Sequence, residues 1–136
     1  MVRGLLADAN AEGHFRAIID VCRSPQWRTV WDGLGIDAFE FAELKIDRKT
    51  PDLELWHLCQ RERLVLITGN RNAAGATSLD TAIRQYSKLQ SLPVMTIADM
   101  DRLLNDRTYL AAAVERLLEF LLEMDRHVGS GRLYIP

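Results

Sequence analysis

Apolar residues along this chain fall into blocks spaced alternately for strands and for helices. Val2 to Ala7 is apolar enough for a buried central strand. Phe15, Ile18, Ile19 and Cys22 then recur at i, i+3, i+4 and i+7, one face of an amphipathic helix closed by Ser24-Pro25. Trp27, Val30, Trp31 and Leu34 predict a short second helix, ended by Gly33 and Gly35. Ile36 to Phe41 alternates imperfectly and predicts a weaker strand. Thr50-Pro51-Asp52 starts a helix, with Thr50 as N-cap, Pro51 first in the helix and an acid in the first turn. That helix turns Leu55, Leu58 and Cys59 inward and ends near Arg63. Leu64 to Thr68 is the clearest strand, a short continuous apolar run.

A polar, Gly- and Ala-rich loop follows from Gly69 to Thr77. Ser78 caps the next helix, with Thr81 where a capping box would place Glu, and Leu79, Ile83 and Tyr86 face inward. Pro93 to Ile97 is a strand ending at Ala98-Asp99. The pattern is then helical almost to His127, with Leu110, Val114, Leu117, Leu118 and Leu121 as its stripe; the long C-terminal helix is expected over about 106–127. Gly129-Ser130-Gly131 breaks it, leaving Leu133-Tyr134-Ile135 for a terminal strand. Strands alternating with helices predict an α/β fold, a three-layer α/β/α sandwich on a mostly parallel sheet of four or five strands. With no internal repeat or linker, residues 1–136 read as one domain. The long helix either covers the sheet or forms a homodimer.

At 136 residues, 48% hydrophobic and 26% charged, the composition is that of an ordinary globular domain. A net charge of −2 argues against a molecule coated with basic patches, though not against a local one. Cys22 and Cys59 lie on apolar helix faces and read as buried free thiols of a reducing compartment. No signal-peptide core and no bilayer-length apolar run is present, so a cytoplasmic protein without a membrane partner is expected.

Under this layout polar residues gather at the carboxyl edge of the sheet, where ligands of open α/β folds bind. Asp8 and Asn10 follow the first strand, Asp52 opens its helix, Asn70 and Asn72 follow the third strand, and Asp99 and Asp101 follow the fourth. Clustered carboxylates repel unless a cation neutralises them, which suits Mg²⁺ or Mn²⁺. Each also has a structural reading: Asp52 and Asp99 as helix caps, Asn70 and Asn72 as turn residues, Asp101 as surface. Asp8, at the end of a central strand, needs a partner in any reading.

Leu5-Leu6-x-Asp8-x-Asn10, Pro51-Asp52 at a helix start, and Leu64-Val65-Leu66-Ile67-Thr68-Gly69-Asn70-Arg71-Asn72 together resemble the PIN-like domains over roughly residues 2–100. The closest pattern in that family is Asp-Glu-Asn after the first strand, Ser-Asp before a helix, and Thr-x-Asp-x-Asp-Phe after the third strand. The resemblance implies a Mg²⁺- or Mn²⁺-dependent ribonuclease, often the toxin of a toxin–antitoxin pair, with RNA as substrate and an antitoxin-like protein as partner. It implies Asp8 and Asp52 as catalytic metal ligands, with Asn70 and Asn72 completing the shell. Asn10, Thr68 and Arg71 are the accompanying binding residues. Ala9 replaces the family Glu and Ala73 the Phe, while Asn70 and Asn72 stand for two aspartates and carry no charge. That loss favours a second expectation, a catalytically silent PIN-like module binding a protein or RNA. A third is a small-molecule-binding α/β domain. Asp80 or Asp99 could restore charge if the fold brings them close.

The remaining candidates read as structural. His14, His57 and His127 lack metal-ligand spacing, Ser78 lacks a catalytic constellation, and Trp27, Trp31 and Trp56 follow helical spacing. Arg48, Lys49, Arg61, Arg63 and Arg71 could line the rim and meet phosphates, against a default of solvated helix ends.

Overall fold

The computed structural model describes residues 1–69 and 78–136. Five strands form one all-parallel sheet: β1 (Gly4–Ala7), β2 (Asp37–Phe39), β3 (Leu64–Thr68), β4 (Val94–Ile97) and β5 (Arg132–Ile135), in the order β2-β1-β3-β4-β5. Six α-helices connect them: α1 (Glu12–Cys22), α2 (Arg28–Leu34), α3 (Asp52–Glu62), α4 (Leu79–Tyr86), α5 (Met100–Asn105) and α6 (Arg107–Leu122). The fold is a three-layer α/β/α sandwich.

Strand alternation sorts the core onto two faces. Leu5, Ala7, Val65, Ile67, Met95 and Ile97 point to the face covered by α1, α2, α5 and α6. Leu6, Leu64, Leu66 and Val94 point to the face covered by α3 and α4. β1 and β3 are buried on both sides, which is why their sequences are continuous apolar runs rather than alternating ones. Cys22 belongs to the first face and Cys59 to the second; both are buried and free, and the intervening sheet keeps them from bridging. Burial pushes each thiol up to about 12.

The connections run from β1 to β2 at one edge, then back across to β3, β4 and β5, so the direction reverses between β1 and β3. Three crossovers share one hand. The last does not: β3 to β4 passes over the α3/α4 face, whereas β4 to β5, moving in the same direction, passes over the opposite face. Two such crossovers on opposite faces have opposite hands, against the strong preference for one. β5 supplies the reason. Leu133 and Ile135 pack into the α1/α6 face, whereas Arg132 and Tyr134 look to the other. A helix is therefore needed only on the first, and α6 lies there with its Val114, Leu117, Leu118 and Leu121 stripe buried. Its stripe covers the sheet.

Several expected boundaries move. The helix expected over 106–127 ends at Leu122 and is followed by a 3-10 turn, Met124–Arg126. At its start, Asp106 caps the backbone N–H groups of Thr108 and Tyr109 and so separates α5 from α6. Thr50 is not the α3 cap: its hydroxyl donates to the Asp47 carbonyl, Pro51 occupies the cap and Asp52 is the first helical residue. Tyr86 is exposed, its ring edge-on to His57, because α4 ends there at the rim of its face. Among the described residues no helix is long and apolar enough to cross a membrane.

Candidate functional site

β1 and β3 are neighbours in register, and the ladder continues one step past β1 because the Asp8 N–H donates to the Ile67 carbonyl at 2.8 Å. That step sets Asp8 opposite Thr68. Two residues beyond Leu6 and Leu66, both side chains turn to the α3/α4 face, and the Thr68 hydroxyl donates to Asp8 Oδ2 at 2.9 Å. The register carries on through Thr68 to Thr96 and from Thr96 to Tyr134. A polar row, Asp8–Thr68–Thr96–Tyr134, thus closes the apolar interior at the carboxyl edge. It begins at the reversal point between β1 and β3, where α/β folds of this kind hold their ligands.

Asp52 reaches the same place from the first turn of α3. Its charge acts on Asp8, whose proton affinity is raised mainly by burial and further by Asp52, while the Thr68 hydroxyl and the N–H groups of Ala9 and Asn10 oppose the rise. Among the described residues no ion pair includes Asp8. Burial and a neighbouring like charge both disfavour the ionised form of a carboxyl.

The expected residues fare unequally. Asp8 and Thr68 come together, and Asp52 stands near enough for its charge to act on Asp8. Asn10 is exposed in a 3-10 turn, Ala9–Ala11, beside them. Asn70, Arg71 and Asn72 lie outside the described residues. Neither further acid joins the pair. Asp99 caps α5, accepting from the Arg102 N–H, and Asp80 pairs with Arg132, which also donates to the Thr96 hydroxyl at 2.6 Å. Among the described residues no group of three or more His, Cys, Asp or Glu side chains forms a metal-binding cluster. Of the basic candidates, Arg48 stands at this edge. Its guanidinium donates to the Ala9 carbonyl at 3.1 Å and to Glu12 at 2.6 Å, so it is tethered next to Asp8 and largely exposed. Arg61 and Arg63 fall at the opposite edge, at the end of α3 and before β3, where Arg63 donates to the Met1 and Gln90 carbonyls.

Two features escaped the sequence. Thr96 joins the polar row, and Arg132 donates to it, only through strand pairing. His14, on the first turn of α1, makes a 3.0 Å hydrogen bond through Nε2 with the Met100 carbonyl at the start of α5. Met100 in turn packs on Gly69, directly after Thr68; a Cβ on Gly69 would lie 2.6 Å from the Met100 sulfur.

Asp8 and Asp52 offer carboxylate oxygens, the donor type that hard divalent cations take. Mg²⁺ and Mn²⁺ are commonly held by one or two carboxylates, with water and substrate phosphate filling the shell, and Asp8 and Asp52 supply those two oxygens donors. Compared with family models, curated proteins and solved structures, the chain matches none.

Proposed function

We propose that the chain is a PIN-like, divalent-metal-dependent endoribonuclease whose site is the Asp8–Asp52 crevice. The observation that carries the reading is the half-buried Asp8 carboxylate, oriented by Thr68 and within range of the Asp52 charge, at the reversal point of the sheet. A bound divalent cation would polarise a phosphate and lower the pKa of a bound water. Asp8 and Asp52 would hold it. Thr68 fixes the Asp8 side chain, so the carboxylate is oriented before anything binds. Arg48, held out over the Ala9 carbonyl, meets a backbone phosphate of the RNA at the mouth. In this reading the protein acts in the cytoplasm and pairs with an antitoxin-like protein.

A second reading, a silent PIN-like module that binds RNA or protein at the same crevice, is favoured by one specific feature. The two further acids that could have replaced the charge of Asn70 and Asn72 are committed elsewhere, Asp80 to Arg132 and Asp99 to its helix. Titration with Mn²⁺ separates the two. The nuclease reading expects a rise in Tm that Asp8→Asn abolishes, together with Mn²⁺-dependent cleavage of a labelled RNA. No rise up to millimolar Mn²⁺ sinks it and leaves the binding module. Arg48→Gln is expected to weaken RNA binding uniformly across sequences and to reduce the salt-dependence slope by about 0.7, the single-strand value per phosphate contact.

A further inference from the structure

A cavity of about 580 Å³ opens at the amino edge of the sheet, opposite the Asp8 crevice. Four of its lining residues lead into four adjacent strands: Ile36 into β2, Val2 into β1, Arg63 into β3 and Leu92 into β4. Leu34 at the end of α2 and Leu121 in the last turn of α6 extend the apolar lining. Gln60 holds Leu92 in place, donating to its carbonyl at 2.9 Å and accepting from its N–H at 2.8 Å, so this side of the cavity is preformed. Small-molecule sites have volumes of roughly 300–1,000 Å³ and are mostly apolar with a few placed polar groups.

Arg63 is the one cationic side chain of this lining. Its backbone is at φ 56°, the left-handed C-cap of α3, where glycine is usual and would carry no strain. The side chain is nevertheless half-buried and fixed: Nε donates to the Met1 carbonyl at 3.2 Å and Nη1 to the Gln90 carbonyl at 3.3 Å. Met1 and Gln90 also line the cavity, so these bonds hold the guanidinium at it. Among the described residues no carboxylate pairs with Arg63, and no described residue accepts from Nη2.

We propose that this cavity binds a small apolar monocarboxylate, with the hydrocarbon body on the lining and the carboxylate on Arg63. A planar guanidinium with free N–H groups matches a carboxylate, and the pairing is charge-assisted. Asp125, exposed on the lining and not paired with Arg63, opposes a second negative charge and so disfavours a phosphate monoester. The site lies at the other edge of the sheet from Asp8 and does not depend on the nuclease reading.

Isothermal titration of the full chain with decanoate, kept below its micelle concentration, is expected to show one saturable site. Octanoate is expected to bind about tenfold more weakly, the effect of two methylenes no longer buried, and decylamine not measurably. Arg63→Gln, shown by melting to be folded, is expected to weaken decanoate binding about tenfold or more, whereas Arg63→Lys, which keeps the charge, loses less. No saturable binding, decylamine binding as tightly as decanoate, or wild-type affinity in Arg63→Gln overturns the proposal. If Arg63→Gln does not fold, methyl NMR of the wild type decides. Decanoate-induced shifts confined to the methyls of Leu34, Ile36, Leu121 and Val128 and their neighbours in the lining support the site, and shifts elsewhere overturn it. Shifts of the same methyls on raising the protein concentration without decanoate, with a dimer in sedimentation, assign the cavity to a second copy of the chain and also overturn it.

Discussion

Asp8 was legible in the sequence because a carboxylate directly after an apolar strand has few structural reasons to be there. Its environment carries a consequence for stability. Burial and Asp52 make the folded protein hold the Asp8 proton more tightly than the unfolded chain does. Folding then takes up a proton, so this group favours the folded state below the ordinary carboxylate range. The advantage is lost as pH rises through the folded value. Ionising Asp8 in the folded protein is therefore a cost, and Asp8→Asn, which keeps an acceptor for Thr68, removes it. Metal-free Asp8→Asn is expected to melt a few degrees above the wild type at pH 7, with the gain gone in acid; a lower Tm at pH 7 refutes this electrostatic account. The partners around Asp8 were less visible. Thr68 stood next to the motif, but the Arg132–Asp80 pair spans 52 residues and the His14–Met100 contact 86. Spacing rules compare near neighbours in sequence and do not see such pairs.

At the scale of elements, periodicity located every strand and the face each helix buries, and it failed at helix ends. The apolar pattern runs on through Asp106, and the polypeptide does not, because the Asp106 carboxylate binds the N–H groups that would otherwise continue the α5 ladder. Periodicity reports which side of a helix is apolar; a cap competes for backbone donors, a different interaction. Arg102, one turn earlier, adds an ion pair, and together they hold the Asp106 carboxyl below its ordinary range, the Arg102 contact contributing most. Stability from such a group is present above the unfolded value and is lost as pH falls through the folded one. Asp106→Ala is therefore expected to lower Tm at pH 7, with the gap to the wild type closing as the pH is taken down through the carboxylate range. A gap that stays constant with pH would locate the loss in helix propensity instead of the charged cap.

For the whole molecule, the two cores are joined by one sheet, and the last crossover is the unusual step in assembling it. The return from α6 to β5 passes through Gly129 and Gly131, both at positive φ. Gly131 sits at φ 83°, its carbonyl accepts from the Val94 N–H at 2.9 Å, and a Cβ there would lie 2.9 Å from Ile83 of α4. Alanine at this position brings left-handed strain of about 1–2 kcal/mol. In a domain of this size that is a fall in Tm of about 3–8 °C. Whether the loss reaches both faces can be read from the thiols. Cys22 is the last residue of α1 and Cys59 lies on the inner side of α3, each buried and with its thiol pushed up to about 12, so neither reacts quickly in the folded state. If the sheet couples the faces into one cooperative unit, Gly131→Ala accelerates labelling of both thiols by the same factor, the factor by which the unfolded population rises. Faster labelling of one thiol alone would mean that the faces open separately, and that β5 guards only the face on which it packs.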